Sequence, residues 1–301
     1  MKKALRWAAV GIGGLLGLVV VALAAVYGIS QARIDRHYDV PEVALAIHDD
    51  SATLARGKHL VITRGCVDCH AANLGGQTFI DDPAIGTLYA ANLTRGKGGV
   101  GASMSDADWA HAIRHGIKPD GTPLLFMPST EFNRLSDSDL AAIIAYLKSL
   151  PPVDHQLGRN RVGPLGRILY LAGKFPLLPA EQIDQSIVHR TAPPAGPTAE
   201  YGAYLATACS GCHGESFSGG PIPGMPPGTP PAANLTPDPS TGLGKWTEAQ
   251  FTAVLRTGRK PDGSMVKAPM PWQLTTHLSD DEIHALWLYL RTVPAKGLAQ
   301  G

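Results

Sequence analysis

From Trp7 to Ile29 the chain runs through 23 residues without a charged side chain, and Lys2, Lys3 and Arg6 precede that run. Wound as a helix at about 1.5 Å per residue, it is long enough to cross a hydrocarbon core of about 30 Å. A positive stretch followed by an apolar one fits either an uncleaved anchor or a cleaved export signal. Ala22-Leu23-Ala24 resembles a cleavage site, yet the run exceeds the ~7–15 apolar residues of a signal and favours an anchor within residues 1–30.

Beyond it, apolar positions return at helical spacing in segments that come in pairs. Thr53 to Gly65 and Thr198 to Ala208 read as short helices, with Leu60 and Leu205 as core contacts. Ser105 to His115, capped by Ser105 with Asp108 three positions on and stopped by Gly116, is matched by Thr247 to Gly258. A closing helix starts at Ser136, carries Leu140, Ile143, Ile144 and Leu147, and ends before Pro151. Its partner starts at Ser279, with Glu282 completing a capping box, carries Ile283, Leu286 and Leu290, and ends before Pro294. Strand-type alternation is weak throughout, so the expected fold class is all-α.

The pairing is an internal duplication. Cys66-Val67-Asp68-Cys69-His70 recurs 143 residues later as Cys209-Ser210-Gly211-Cys212-His213. Ala91-Asn92-Leu93-Thr94 recurs as Ala233-Asn234-Leu235-Thr236, and Lys118-Pro119-Asp120-Gly121 as Lys260-Pro261-Asp262-Gly263, both at a shift of 142. Two units follow, over residues 50–153 and 197–297. They are joined by a connector, 154–196, whose apolar patch Ile168 to Leu171 is expected to pack against a domain. The Pro221 to Pro231 run of the second unit replaces a less rigid loop, Gly75 to Tyr89, in the first.

Composition narrows the function. At 301 residues, 44% hydrophobic and 17% charged, the chain can build two cores, while Gly 34 and Pro 25 imply long irregular connections. A net charge of +1 provides no basic field to draw nucleic acid, so no nucleic-acid partner is expected.

The four cysteines carry the chemistry. Cys-x-x-Cys-His is the attachment sequence of c-type haem. Thiols one helical turn apart can each form a thioether to one porphyrin edge, while the adjacent imidazole reaches the iron. A thioredoxin-like redox pair would call for a βαβ setting, a single zinc site for halves about 15–20 residues apart, and a disulfide clip remains open to an exported chain. Two copies in the same surroundings, consuming all four cysteines, favour two covalently bound haem c groups on Cys66, Cys69 and His70 and on Cys209, Cys212 and His213. Met127 and Met270 each lie 57 residues after the haem histidine and each precede Pro. A thioether there would complete His/Met coordination, with His70, Met127, His213 and Met270 on iron. Met265 stands near Met270, but it, Met104 and Met225 have no matched copy. His111 and His115, at i and i+4, compete in the first unit only and are read as surface or supporting residues.

These residues resemble the class I cytochrome c family: an early Cys-x-x-Cys-His, a distal Met on a later loop and a closing amphipathic helix. The doubled unit behind an apolar N-terminus is similar to membrane-anchored dihaem cytochromes c, including cytochrome subunits of periplasmic alcohol, aldehyde and sugar-acid dehydrogenases. Those subunits often have three haem units, whereas two occur here. The resemblance implies two tandem class I cytochrome c domains behind an N-terminal transmembrane helix, in a bacterial inner membrane with the haem domains in the periplasm. It also implies a backbone carbonyl orienting each axial His, with Pro83 to Gly86 and Pro227 to Pro231 as the matching loops.

A haem closed on both faces by protein can only gain and lose an electron, so a carrier rather than an enzyme is expected. It would pass single electrons from a membrane or periplasmic dehydrogenase or a quinol-oxidising complex to a respiratory acceptor such as a terminal oxidase. The alternative is a dihaem oxidoreductase, a peroxidase or sulfur-compound dehydrogenase, with one open haem site.

Overall fold

The computed structural model describes residues 2–41, 44–187 and 189–299. Helix α1 (Lys2–Ile34) is continuous through the apolar run, and its large side chains from Leu5 to Ile29 are exposed. It extends past the uncharged segment at both ends.

The first unit begins with α2 (Ser51–Thr63), α3 (Cys66–His70) and a hairpin of β1 (Gln77–Asp82) and β2 (Gly86–Ala90). Then come α4 (Asp106–Ala110), which runs into a π-helical turn over His111–His115, α5 (Ser129–Phe132) and α6 (Asp137–Ser149). The connector supplies β3 (Arg161–Val162), α7 (Pro164–Leu171) and a 3₁₀ turn over Pro179–Gln182. The second unit holds α8 (Ala199–Ala206), α9 (Ser210–His213), α10 (Glu248–Thr257), α11 (Trp272–Thr275) and α12 (Asp280–Leu290).

The predicted caps close these helices. Ser105 with Asp108, Thr247 with Gln250 and Ser279 with Glu282 form reciprocal capping boxes, and Gly116 and Gly258 end their helices in the left-handed region. In each unit the first and last helices cross at a glycine. A Cβ on Gly57 would sit 2.0 Å from the Ala142 carbonyl oxygen, and one on Gly202 would sit 1.9 Å from that of Ala285. Only glycine admits so close an approach.

Leu60, Leu140, Ile143, Ile144 and Leu147 fill the first core with Trp109 and Phe132, while Leu205, Phe251, Ile283, Leu286 and Leu290 fill the second. Leu169, Tyr170 and Leu171 of the connector's patch pack on the first unit, whereas Ile168 is exposed. Tyr170, Phe175, Leu177 and Leu178 form a third core with Leu88 of β2, and Ile34 at the end of α1 packs against it.

The all-α expectation needs correction in the first unit. β1 and β2 pair antiparallel with an irregularity between Thr78 and Ile80, and β3 adds antiparallel to β2 through Gly86–Val162 and Thr87–Arg161. The segment between Gly75 and Tyr89 is therefore a hairpin rather than a loose loop. Its side chains along β1 are mostly exposed, which removes the alternation that would have marked it. In the second unit, prolines at 221, 223, 226, 227, 230 and 231 deprive the segment of ladder donors, and a single bridge joins Gly220 to Ala232.

Of the two roles read for His115, surface or supporting, the structure excludes the first. This residue is only 1% exposed, and its ring packs edge-on against His111 at 6.0 Å between centroids. The Gln185 amide donates to the Ala180 and His115 carbonyls, so its oxygen faces the ring and His115 Nδ1–H donates to it at 2.8 Å. Nε2 is buried without a partner among the described residues. Burial, together with nearby His111, Arg114 and Arg190, pushes this imidazole down to about 4, although Gln185 opposes the shift. Between that value and the ordinary ~6.5 the unfolded chain binds the extra proton, so stability present above pH 6.5 is lost as the pH falls towards 4. The loss expected from this group is on the order of 3 kcal/mol. Thermal unfolding between pH 7 and 4.5 is expected to show a shallower decline for His115→Gln than for the unaltered protein; equal slopes would remove His115 as the cause.

Candidate functional site

Each Cys-x-x-Cys-His folds as a single helical turn after α2 or α8. Gly65, in the left-handed region at φ 76°, turns the chain into α3. One turn of helix puts Cys66 and Cys69, and likewise Cys209 and Cys212, three positions apart on the same side. None of the four forms a disulfide. Among the described residues no group of three or more His, Cys, Asp or Glu side chains gathers as a metal site, which removes the single-zinc reading. Burial pushes the thiols up, to about 12 for Cys66 and about 11 for Cys69 and Cys209, so they are neutral in the folded chain.

The two histidines have matching surroundings. His70 Nδ1 lies 2.7 Å from the Ala91 carbonyl oxygen, and His213 Nδ1 lies 2.7 Å from that of Ala233. A carbonyl only accepts, so Nδ1 carries the proton and Nε2 presents its lone pair. Burial lowers both pKa values and keeps the rings neutral, against the opposing pull of the carbonyl. A neutral imidazole fixed in this tautomer is what an iron ligand requires.

These carbonyls do not belong to the loops that the resemblance pointed to. They lie at the start of the repeated Ala-Asn-Leu-Thr. The Asn92 side chain accepts from Thr94 N–H and Oγ1–H at 3.0 and 2.8 Å and donates to the Val153 carbonyl at 2.7 Å. Asn234 does the same with Thr236 at 2.9 and 2.8 Å and with the Lys296 carbonyl at 2.6 Å. Leu93 N–H donates to Leu74, and Leu235 N–H to Phe217, at 2.9 and 2.8 Å. Leu74 and Phe217 both take φ 57°, an unusual value for residues other than glycine. Repetition of Ala-Asn-Leu-Thr was visible in the sequence; its use was not, because the group that acts is a backbone oxygen.

Met127 and Cys66 pack on the first core, and Met270 and Cys209 on the second. Met104 also reaches the first core, whereas Met225 and Met265 are exposed. Trp272 N–H donates to Met270 O at 2.9 Å, as Ser129 N–H does to Met127 O at 2.7 Å. Two buried nitrogens near these cores, Trp109 Nε1 and Arg64 Nη2, have no acceptor among the described residues. A prosthetic group bearing carboxylates, as haem does, suits such donors.

The two sites face one another. Glu131 on α5 lies over the second attachment turn, where a Cβ on Gly211 would fall 2.0 Å from Oε1. Leu274 on α11 occupies the equivalent place beside Gly65 of the first. Burial pushes the Glu131 carboxyl up to about 7, although Arg64 and Arg134 oppose the shift. Arg64 donates to the Leu205 carbonyl at 3.3 Å and lies over the Tyr204 ring at 5.4 Å.

Alongside runs a reciprocal polar seam. Arg56 Nε and Nη2 each donate to Asp139 at 3.0 Å, and Nη1 reaches Glu282 at 3.4 Å. His59 Nε2 lies 2.9 Å from both Glu282 oxygens, and Tyr204 O–H donates to Asp139 at 2.7 Å. Asp139 and Glu282 hold equivalent positions in the duplication, as do His59 and Tyr204. Burial alone would raise the Glu282 carboxyl, but His59, the Ser279 N–H and Arg56 outweigh it and hold it below the usual range.

The cytochrome c family model matches residues 54–151 and again 199–294. The chain is 31% identical over 289 residues to the alcohol dehydrogenase (quinone), cytochrome c subunit, of Gluconacetobacter polyoxogenes, a match over 84% of this chain and 58% of that protein. It is 31% identical over 293 residues to the gluconate 2-dehydrogenase cytochrome c subunit of Pantoea cypripedii, covering 85% of this chain and 63% of the relative. A diheme cytochrome c-type protein of Cereibacter sphaeroides is 31% identical over 100 residues, 30% of this chain and 34% of that one. The chain thus spans less than two thirds of the dehydrogenase subunits it matches.

Proposed function

Since the chain belongs to the cytochrome c family, we propose that it is a membrane-anchored electron carrier with two covalently bound haem c groups, acting as a cytochrome subunit of a dehydrogenase. The observation that carries this reading is the identical 2.7 Å contact of His70 and His213 with a backbone carbonyl, each beside its own Cys-x-x-Cys turn.

Cys66 and Cys69 would hold one group and Cys209 and Cys212 the other through thioethers, while His70 and His213 would offer Nε2 to the iron. Met127 and Met270 would supply sulfur ligands, and His/Met ligation favours a higher potential than two imidazoles. Bound in this way, haem c supplies a one-electron iron couple closed to outside ligands. The Ala91 and Ala233 carbonyls keep each imidazole in the metal-binding tautomer. The seam from Arg56 to Glu282 keeps the two units docked, so that the two attachment turns are held in one body. Relatives named as subunits of alcohol and gluconate dehydrogenases support a dehydrogenase as donor. Anchoring by α1 in a bacterial inner membrane, with both units on the periplasmic side, would bring that donor and a respiratory acceptor such as a terminal oxidase or quinol-linked complex into reach.

Replacing Cys66 and Cys69 together by Ser is expected to leave one covalent haem by intact mass; retention of two would overturn the assignment. Met127→Ala and Met270→Ala should each move one of two redox waves to lower potential in a spectropotentiometric titration, and an unshifted wave would remove that Met from the iron. Mild-detergent isolation from native membranes is expected to bring down a dehydrogenase with the chain, whereas isolation of the cytochrome alone would overturn the subunit role.

A further inference from the structure

Helix α7 is built inside out. On a water-facing helix, arginine points outward and leucine inward. Here Arg167 is 8% exposed and Tyr170 is 7% exposed, while Leu165 and Ile168 are 42% and 41% exposed. Leu165 and Ile168 stand at i and i+3, and exposed Ala172, which caps the helix, follows them, so that together they form one apolar stripe on the outer side.

The inward side grips the end of α1. Arg167 donates to Ser30 Oγ at 2.7 Å and to Gln31 Oε1 at 2.8 Å, and its guanidinium lies 4.6 Å from the centre of the Tyr27 ring. Ser30 is fully buried by this contact. The clamp holds α7 level with the last turns of α1, where the exposed apolar surface of that helix ends at Tyr27 and Ile29. The stripe on α7 continues that surface sideways. Exposed Arg33, Arg36, Arg161 and Lys174 lie in the segments that flank the two helices, with Asp35 between the first two and Glu181 3.9 Å from Arg33. An apolar stripe flanked by a surplus of cations, next to a tyrosine at the end of a spanning helix, matches the boundary between acyl chains and anionic headgroups.

We propose that α7 lies on the phospholipid bilayer, with Leu165, Ile168 and Ala172 dipping into the headgroup boundary, so that the first unit is seated on the membrane. This rests on reading α1 as the membrane span. Lipid is the occupant because the stripe is continuous with the lipid-facing surface of α1 and the clamp fixes its level there.

The test uses the full-length haem-loaded chain in nanodiscs of phosphatidylcholine and phosphatidylglycerol. Nitroxides are placed one at a time by Leu165→Cys, Ile168→Cys and Ala172→Cys, with Leu16→Cys in the span and Ser240→Cys on the second unit as references. Power-saturation electron paramagnetic resonance is expected to show oxygen more accessible than a water-soluble nickel chelate at 165, 168 and 172, as at 16, with the reverse at 240. Lipid-like access at 16 with water-like access along the stripe would overturn the seating and leave the anchor standing. Low access to both agents along the stripe would show protein, a second copy, covering it and would overturn the lipid assignment. Water-like access at 16 as well would overturn both readings.

Discussion

Both halves of the molecule are organised around one constraint, an imidazole held by a backbone oxygen. A histidine side chain could rotate or change tautomer, and either change would withdraw Nε2 from an iron. The Ala91 and Ala233 carbonyls prevent this only because their own segment is fixed from behind. In each copy an Asn side chain spans from the following Thr to a carbonyl at the far end of the unit, at Val153 or Lys296. A short buried network thus ties the histidine of each Cys-x-x-Cys-His turn to the chain that leaves the last helix. Removing an acceptor here would leave buried donors unsatisfied, at a cost of about 1–3 kcal/mol each. That cost explains how a loop, rather than a helix, can place an accepting carbonyl with the same 2.7 Å geometry twice.

Helices, caps and cores were legible in the sequence because they depend on local chemistry. Ser105, Thr247 and Ser279 cap where their hydroxyls and the side chains three positions on can close a box, and Leu60 and Leu205 recur at equal depth in the two units. The hairpin escaped because β1 is exposed and because β2 takes its other partner, β3, from more than seventy residues away and outside the unit. The carbonyl partners of the histidines escaped for a different reason. Backbone oxygens have no residue signature, and only the repetition of Ala-Asn-Leu-Thr hinted that something there mattered. The burial of His115 escaped because its partner, Gln185, comes from the connector, whose path is not encoded by helical spacing.

The duplication also supplies the interface. Asp139 and Glu282 are the third residues of their helices and already serve the helix starts: Glu282 closes a capping box, and the Asp139 N–H is taken by Ser136. Each faces the other unit and accepts from the first helix there. In one direction the donors are Arg56 and His59, and in the other Tyr204. The bonds are equivalent in place but not in kind, since a guanidinium and an imidazole meet Glu282 where a phenol meets Asp139. Two copies of one fold can therefore dock reciprocally and still present different electrostatic environments on either side of the seam.

The connector adds a second asymmetry, and it bears on the segments before Met127 and Met270. Phe126, immediately before Met127, donates its N–H to the Leu177 carbonyl at 2.8 Å, and its ring stacks on Phe175 at 5.0 Å. In the second unit the matching position is Pro269, which has no N–H to give. The first Met loop is therefore bolted to the same connector whose next helix back, α7, clamps the end of α1 through Arg167. A mechanical path runs from Ser30 through Arg167 and the Leu177 segment to the residue beside Met127, entirely through packed side chains and hydrogen bonds. Among the described residues no equivalent path reaches Met270. The first site is thus tied to α1 and the second to the first, which orders the two centres by their attachment even though their folds are copies.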